Sequence, residues 1–238
     1  RDLIFCRELI AKLVANSPST PPSYRPLLVF VNSKSGGQQG DSLLSKLRSL
    51  LTTEQVVDLF EDPDNVGPRK GLEAYANVPN MHILVCGGDG TAGWVLSELL
   101  DKDRFHSESG SPPMAVLPLG TGNDLARVLQ WGGGYTGEPL SPILSRIGLS
   151  VPAGLDRWDL SINSADETFS KNYVLNNYFS LGMDAQIALQ FHNLREENPN
   201  MFKSRTINKG IYGVFGFQTL INQPKELEEL GVKINVDG

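Results

Sequence analysis

Short blocks of consecutive apolar residues alternate along this chain with longer stretches in which apolar residues return every three or four positions. The blocks at 27–31, 55–60, 81–86 and 113–118 predict strands. The first, Leu-Leu-Val-Phe-Val, is apolar at every position, the pattern of a strand buried on both faces of a parallel sheet. The periodic stretches at 3–14, 41–51, 68–76, 91–100 and 123–129 predict helices. Pro68 falls near the start of one of them, where its missing N–H costs nothing. Residues 16–23, rich in Pro and Ser, read as a linker. Strand, loop and helix repeated in this order predict a doubly wound α/β domain.

After Trp131-Gly-Gly-Gly134 the pattern changes. Residues 151–162 and 173–182 predict strands with no helix between them. Helices follow at 184–197 and 206–222, and a further strand at 231–236. The expected organisation is a helix and linker over 1–25, an α/β domain over 26–150, and the truncated start of a β-rich domain with inserted helices over 151–238. Tyr212, Phe215 and Phe217 lie between glycines in one of the later helices. Burial in a core is the expected role for that helix, with contact to a membrane as the alternative.

Composition narrows the function classes. In 238 residues, 40% are apolar and 20% charged, as in an ordinary folded domain. The net charge of −6 weighs against nucleic-acid binding and against purely electrostatic attachment to anionic lipid. Two cysteines, Cys6 and Cys86, make neither a disulfide framework nor a four-ligand zinc site. A reducing, cytoplasmic setting fits them, with Cys86 as a buried thiol. No apolar run reaches the roughly 18 residues that a membrane span needs. The chain begins at Arg1 and stops just after a strand-like stretch, so a piece of a longer protein is expected.

Three glycine-rich turns carry the candidate chemistry, each after an apolar strand and before a helix: Asn-Ser-Lys-Ser-Gly-Gly at 32–37, Gly-Gly-Asp-Gly-Thr at 87–91, and Leu-Gly-Thr-Gly-Asn-Asp at 119–124. In a parallel sheet all three leave from the carboxyl edge, where α/β proteins bind ligands. Glycine lets backbone approach a ligand closely, and the amides of the following helix attract an anion. Asp89 inside the tightest turn would repel a polyphosphate unless a divalent cation lay between them, which suggests Mg²⁺. The sequence lacks G-x-x-x-x-G-K-[ST], H-R-D, D-F-G, H-E-x-x-H and G-x-S-x-G, and no G-x-G-x-x-G follows the first strand.

These motifs together resemble the diacylglycerol kinase catalytic domain. GGDGT alone is shared with sphingosine, ceramide and NAD kinases. PLGTGNDLAR at 118–127, WGGGY at 131–135, LDRW at 155–158 and NNYFSLGMDA at 176–185 resemble the eukaryotic diacylglycerol kinases in particular, over about residues 26–238. The resemblance implies an α/β nucleotide-binding domain, then a β-rich accessory domain, with the site in the cleft. It implies transfer of the γ-phosphoryl group of ATP to 1,2-diacylglycerol, giving phosphatidic acid and ADP in lipid signalling. A sphingoid or ceramide kinase, or a catalytically silent nucleotide-binding module, is the alternative. Magnesium, diacylglycerol at a membrane surface and transient membrane contact are the implied partners.

On this reading Asn32, Lys34, Ser35, Gly87, Gly88, Gly90, Thr91, Gly120, Thr121, Gly122 and Asn123 contact nucleotide. Asp89 and Asp124 are the catalytic acids, and Asp89, Asp156 and Asp184 support metal. Each has a plainer competing role. Asp89 could cap the helix after it, Asn123 and Asp124 the next one, and Asp184 its own. Thr91 could cap and contact phosphate at once. Lys34 could be simply solvated. Asp156 could pair with Arg157 and Asp159 in a surface ion cluster, and Arg127 could hold either a carboxylate or a phosphate. Ser33 and Ala92 depart from the family pattern, where a proline and a β-branched residue are usual. The family's general base, a glutamate, is expected after Gly238.

Overall fold

The computed structural model describes residues 25–36, 39–61, 67–76, 78–100, 111–164, 168–198, 201–202 and 204–221. The predicted helix over 3–14, the linker over 16–23 and the strand over 231–236 lie outside them. The chain divides into two compact units, Arg1–Asn177 and Tyr178–Gly238.

In the first unit a four-stranded parallel sheet is built from β1 (Leu27–Val31), β2 (Val56–Asp58), β3 (His82–Gly87) and β4 (Met114–Pro118), in the order β2-β1-β3-β4. Helices α1 (Gln39–Leu50), α2 (Arg69–Tyr75), α3 (Asp89–Leu99), α4 (Asp124–Val128) and α5 (Leu140–Leu149) cover it. The sheet separates two cores. Leu28, Phe30, Ile83 and Val85 meet α2, α3 and α4 on one face. Leu27, Val29, Val31, Leu84 and Cys86 meet α1 and α5 on the other. Every residue of β1 is fully buried, which is why its sequence does not alternate. Each such side chain contributes about 1.5–3 kcal/mol by leaving water. Ala92 lies in this core, fully buried.

The predicted elements are present with shifted ends. Helix α3 starts at Asp89, so Asp89 and Gly90 belong to its first turn rather than to a loop. The strand expected over 55–60 is reduced to Val56–Asp58, after a short 3-10 turn at Thr53–Gln55. There the buried Gln55 side chain donates to the Leu27 carbonyl at 2.8 Å instead of extending the strand. Helix α5 was not predicted. Its Leu140, Ile143, Leu144 and Ile147 keep the helical spacing, but Pro139 and Pro142 obscure it; both sit where a first turn tolerates proline.

The two strands expected over 151–162 and 173–182 are shorter and displaced. They are β5 (Trp158–Asn163) and β6 (Ser170–Leu175), paired antiparallel with Trp158 opposite Leu175. Residues 151–157 and 176–182 are irregular. Described residues of the second unit include helices α6 (Met183–Glu197) and α7 (Arg205–Ile221). Phe191 meets Phe202 edge to face and Tyr212 at a tilt, at ring separations of 5.1 and 4.2 Å. The expectation that α7 is a core helix holds in part among the described residues: Tyr212 packs on Phe191 and Thr219 is buried, while Val214, Phe217 and Leu220 are more than half exposed. No helix among the described residues is long and apolar enough to cross a membrane.

Candidate active site

Strands β1, β3 and β4 are adjacent, parallel and in register, with Val31 beside Cys86 and Gly87 beside Pro118. The chain therefore leaves all three at one edge of the sheet, and the turns that follow are stitched together there.

The first turn continues the ladder, because the Asn32 amide donates to the Cys86 carbonyl at 2.9 Å. The Asn32 side-chain amide then reaches across and donates to Thr91 Oγ1 at 2.9 Å. Its Oδ1 is buried and has no hydrogen-bond partner among the described residues. Ser35 closes the turn by donating its amide to the Asn32 carbonyl. Lys34 is exposed, and its ammonium lies 4.3 Å from the centre of the Phe60 ring, on the β2 side.

The second turn is tight. A Cβ on Gly87 would come within 2.8 Å of three Thr91 side-chain atoms. Gly88 takes the N-cap position of α3 in extended conformation, and its carbonyl accepts the Thr91 and Ala92 amides. The Asp89 and Gly90 amides precede any carbonyl one helical turn back, so the helix itself gives them no acceptor. The helix dipole adds partial positive charge at that point. Gly90 is exposed, with open space where a side chain would start.

The third turn packs directly on the second. The Leu119 amide donates to the Gly87 carbonyl at 2.9 Å. A Cβ on Gly120 would fall 2.8 Å from the Gly88 Cα and 2.7 Å from Asn123 Oδ1, so backbone lies on backbone only because both positions are glycine. Asp89 completes the join. Its two carboxylate oxygens accept the Asp124 amide at 2.9 Å and the Leu125 amide at 3.1 Å. The expected capping role is thus found on a different helix, α4, and not on the helix that Asp89 opens.

Asn123 is buried in left-handed backbone at φ 57°. It does not cap α4. Its side-chain amide donates to the carbonyls of Gly120 at 2.7 Å and Gly133 at 2.9 Å, tying the third turn to the Trp131-Gly-Gly-Gly134 segment. Arg127 donates to the Gly122 carbonyl at 3.1 Å. Thr121 and Gly122 lie at the surface side of the same turn. A Cβ on Gly122 would be 3.4 Å from an Asp124 carboxylate oxygen and 3.8 Å from one of Asp89, so both acids border one space.

The metal expectation is only partly assembled. Asp156 is exposed in the irregular segment before β5, and Asp184 is exposed in the first turn of α6, in the second unit. Among the described residues no group of three or more His, Cys, Asp or Glu side chains is poised to hold a metal ion. Of the surface ion cluster expected at 156–159, only a through-space attraction between Arg157 and Asp159 is present, since Arg157 directs its hydrogen bonds to Asn176 Oδ1 and Ser97 Oγ. Cys86 is free and fully buried, and burial pushes its thiol far above the ordinary range, so it is no nucleophile. The sequence reading missed the Asn32–Thr91 and Asn123–Gly133 links, because both join motifs that the chain order keeps apart.

Residues 26–151 match the family model of the diacylglycerol kinase catalytic domain, and residues 174–238 that of the diacylglycerol kinase accessory domain. The chain is 44% identical over 231 residues to the eye-specific diacylglycerol kinase of Drosophila melanogaster. It is 45% identical over 231 residues to human diacylglycerol kinase iota, and 46% identical over 233 residues to rat diacylglycerol kinase zeta. Each comparison covers 93% of this chain, but only 15%, 21% and 24% of the respective relative. The chain thus spans about a fifth of the length of these curated relatives.

Proposed function

The chain belongs to the diacylglycerol kinase family, and on that premise we propose that it is the nucleotide-binding part of a lipid kinase that phosphorylates 1,2-diacylglycerol. One observation carries the reading: three glycine turns from separate strands are joined at one sheet edge, over the first amides of α3. That arrangement suits a triphosphate, whose oxygens need closely spaced donors and whose bulk needs walls without side chains. In the transfer, the lipid hydroxyl oxygen bonds to the γ-phosphorus as the bond to the ADP oxygen breaks, giving phosphatidic acid. The hydroxyl proton goes to a base that we assign to no residue of this chain.

Residue roles follow from what each group touches. The Asp89 and Gly90 amides would hold phosphate oxygens, with Gly88, Gly120, Thr121 and Gly122 as the wall beside them. Asn32 would present its unpartnered Oδ1 to a nucleotide donor. Ser35 and Asn123 shape turns rather than project into the site, and Lys34 would have to leave Phe60 to reach a phosphate. Asp89 and Asp124 offer the hard oxygen donors that Mg²⁺ prefers, beside the same gap at Gly122. Magnesium bound there would neutralise charge on the transferring phosphoryl group. Asp156 and Asp184 remain proposals for its outer support. We take the α/β domain as residues 26–150 and the accessory region as 151–238. A cytoplasmic protein that visits a membrane to meet diacylglycerol fits this chemistry.

The test is a kinase assay on the complete protein with γ-labelled ATP and magnesium, offered diacylglycerol, sphingosine and ceramide in mixed micelles. Labelled phosphatidic acid is the expected product. Label on sphingosine or ceramide alone would move the protein to the sphingoid class. Binding of Mg-ATP with no lipid product would make it a silent nucleotide-binding module.

A further inference from the structure

At the other end of the strands from these loops lies a groove of about 900 Å³, within the range of ligand sites. It runs past the first residues of β3 and β4. Leu96 and Leu99 of α3, Leu129 and Trp131 after α4, and Ile147 of α5 line it, with Val151 at its mouth. Val128, Leu149 and Val151, which also line it, are between 74% and 88% exposed, so the rim presents apolar surface to water.

The charge of the groove runs against that of the chain. The protein is net −6, yet among the described residues no Asp or Glu lines this space, and the formally charged lining groups there are Arg146 and Arg157. Neither forms an ion pair among the described residues. Arg146 lies 5.2 Å from the Trp131 ring centre and donates to the Gln130 carbonyl, which leaves the rest of its guanidinium fork at the exposed rim. Arg157 donates to the neutral Asn176 and Ser97 side chains, and the Asp159 carboxylate favours its charge without a direct ion pair. An apolar trough with two guanidinium groups, of which Arg146 faces no carboxylate among the described residues and Arg157 feels Asp159 only through space, matches a ligand with an acyl chain and an anionic head, because guanidinium binds phosphate oxygens in pairs.

We propose that this groove binds an anionic phospholipid, with an acyl chain along Leu96, Leu129 and Ile147 and its phosphate at Arg146 and Arg157. The site is separate from the glycine loops and stands on its own chemistry, whichever lipid the loops serve.

The experiment titrates the complete protein, without nucleotide, with three soluble probes. They are dioctanoyl phosphatidic acid, dioctanoylglycerol, which lacks the charge, and inorganic phosphate, which lacks the chains. The charged lipid is expected to bind at least ~10-fold tighter than either, a difference of about 1.4 kcal/mol. Arg146→Gln and Val151→Glu, both at exposed positions, are each expected to weaken it by ~10-fold. Equal affinity for dioctanoylglycerol or for phosphate would overturn the proposal, as would wild-type affinity in both variants. Mg-ATP binding, measured on the same variants and expected unchanged, shows that they are folded. It also reports on the loop edge independently, so failure of the groove and failure of the kinase reading are told apart.

Discussion

The sheet over residues 27–118 and the region over 158–221 solve the same packing problem with opposite results. Along β1 every side chain is sealed by a neighbouring strand or a helix. Along β5 and β6 almost none is: Trp158 is 66% exposed, and Tyr173 and Val174 are exposed too. A parallel sheet with helices on both faces closes its own core, whereas a two-stranded hairpin has no layer to cover it. The glycine turns therefore sit on a platform with its own core, and the Asn123–Gly133 hydrogen bond ties them in addition to the segment after α4. The later region carries more apolar surface than its described elements hide.

Stability measurements would break this contrast if it is wrong. Phe30→Ala removes a fully buried ring between β1 and α2 and is expected to cost about 3–5 kcal/mol. Phe217→Ala, at 67% exposure, is expected to stay within about 0.5 kcal/mol. Denaturant unfolding of both variants checks the pair, and comparable losses would mean that α7 is buried against something in solution.

The next effect concerns the platform's edge. Gly120→Ala puts a methyl 2.8 Å from the Gly88 Cα, so the two turns must separate. In the complete protein this is expected to lower turnover by ~100-fold to ~1000-fold, the range for losing one preorganised donor. Gly88→Ala is expected to fall at the lower end, since its methyl would lie 3.3 Å from the Gly120 Cα. That methyl acts by prising the turns apart rather than by standing in the path of a phosphate. Wild-type turnover in both variants would remove these turns from the site.

A smaller effect separates the two duties of Asp89. Asp89→Asn keeps the shape but leaves one oxygen to serve two backbone amides. The lost charge-assisted bond is expected to cost about 1.5–3 kcal/mol of stability with the fold retained. If the carboxylate also serves magnesium, the magnesium concentration for half-maximal activity should rise ~10-fold. A drop in melting temperature with an unchanged magnesium titration would leave Asp89 as a clamp between turns.

Much of the platform was legible because its signals are local. The apolar run at 27–31 announced a buried parallel strand, and the glycine turns announced loops that gather at one edge of the sheet. Residue pairs 59 and 35 positions apart were not legible, since nothing in the order of residues says that Asn32 meets Thr91 or that Asp89 caps a helix beginning at Asp124. In the later region even the strand ends were misjudged. Val151 and Leu181 look like strand residues by composition, but among the described residues no partner strand fixes a register for them, and both are exposed.

The smallest expected effect tests whether burial in the platform acts electrostatically as well. His82 opens β3 and lines the groove, and its Nδ1 lies 3.0 Å from the Asn80 carbonyl oxygen. Burial lowers its pKa below the usual imidazole value, the Asn80 carbonyl opposes that shift, and Arg25 adds to it. A depressed folded pKa means that the unfolded chain takes up a proton which the folded chain resists. Stability from this source is therefore present above about pH 6.5 and declines as the pH falls through the lower folded value. His82→Gln removes the titration while keeping a polar side chain at the strand start. Its unfolding free energy should decline less steeply between pH 7.5 and 5.5 than that of the wild type. Parallel pH profiles would show that solvent reaches the imidazole freely, and the platform would then be less sealed at its amino edge than along β1.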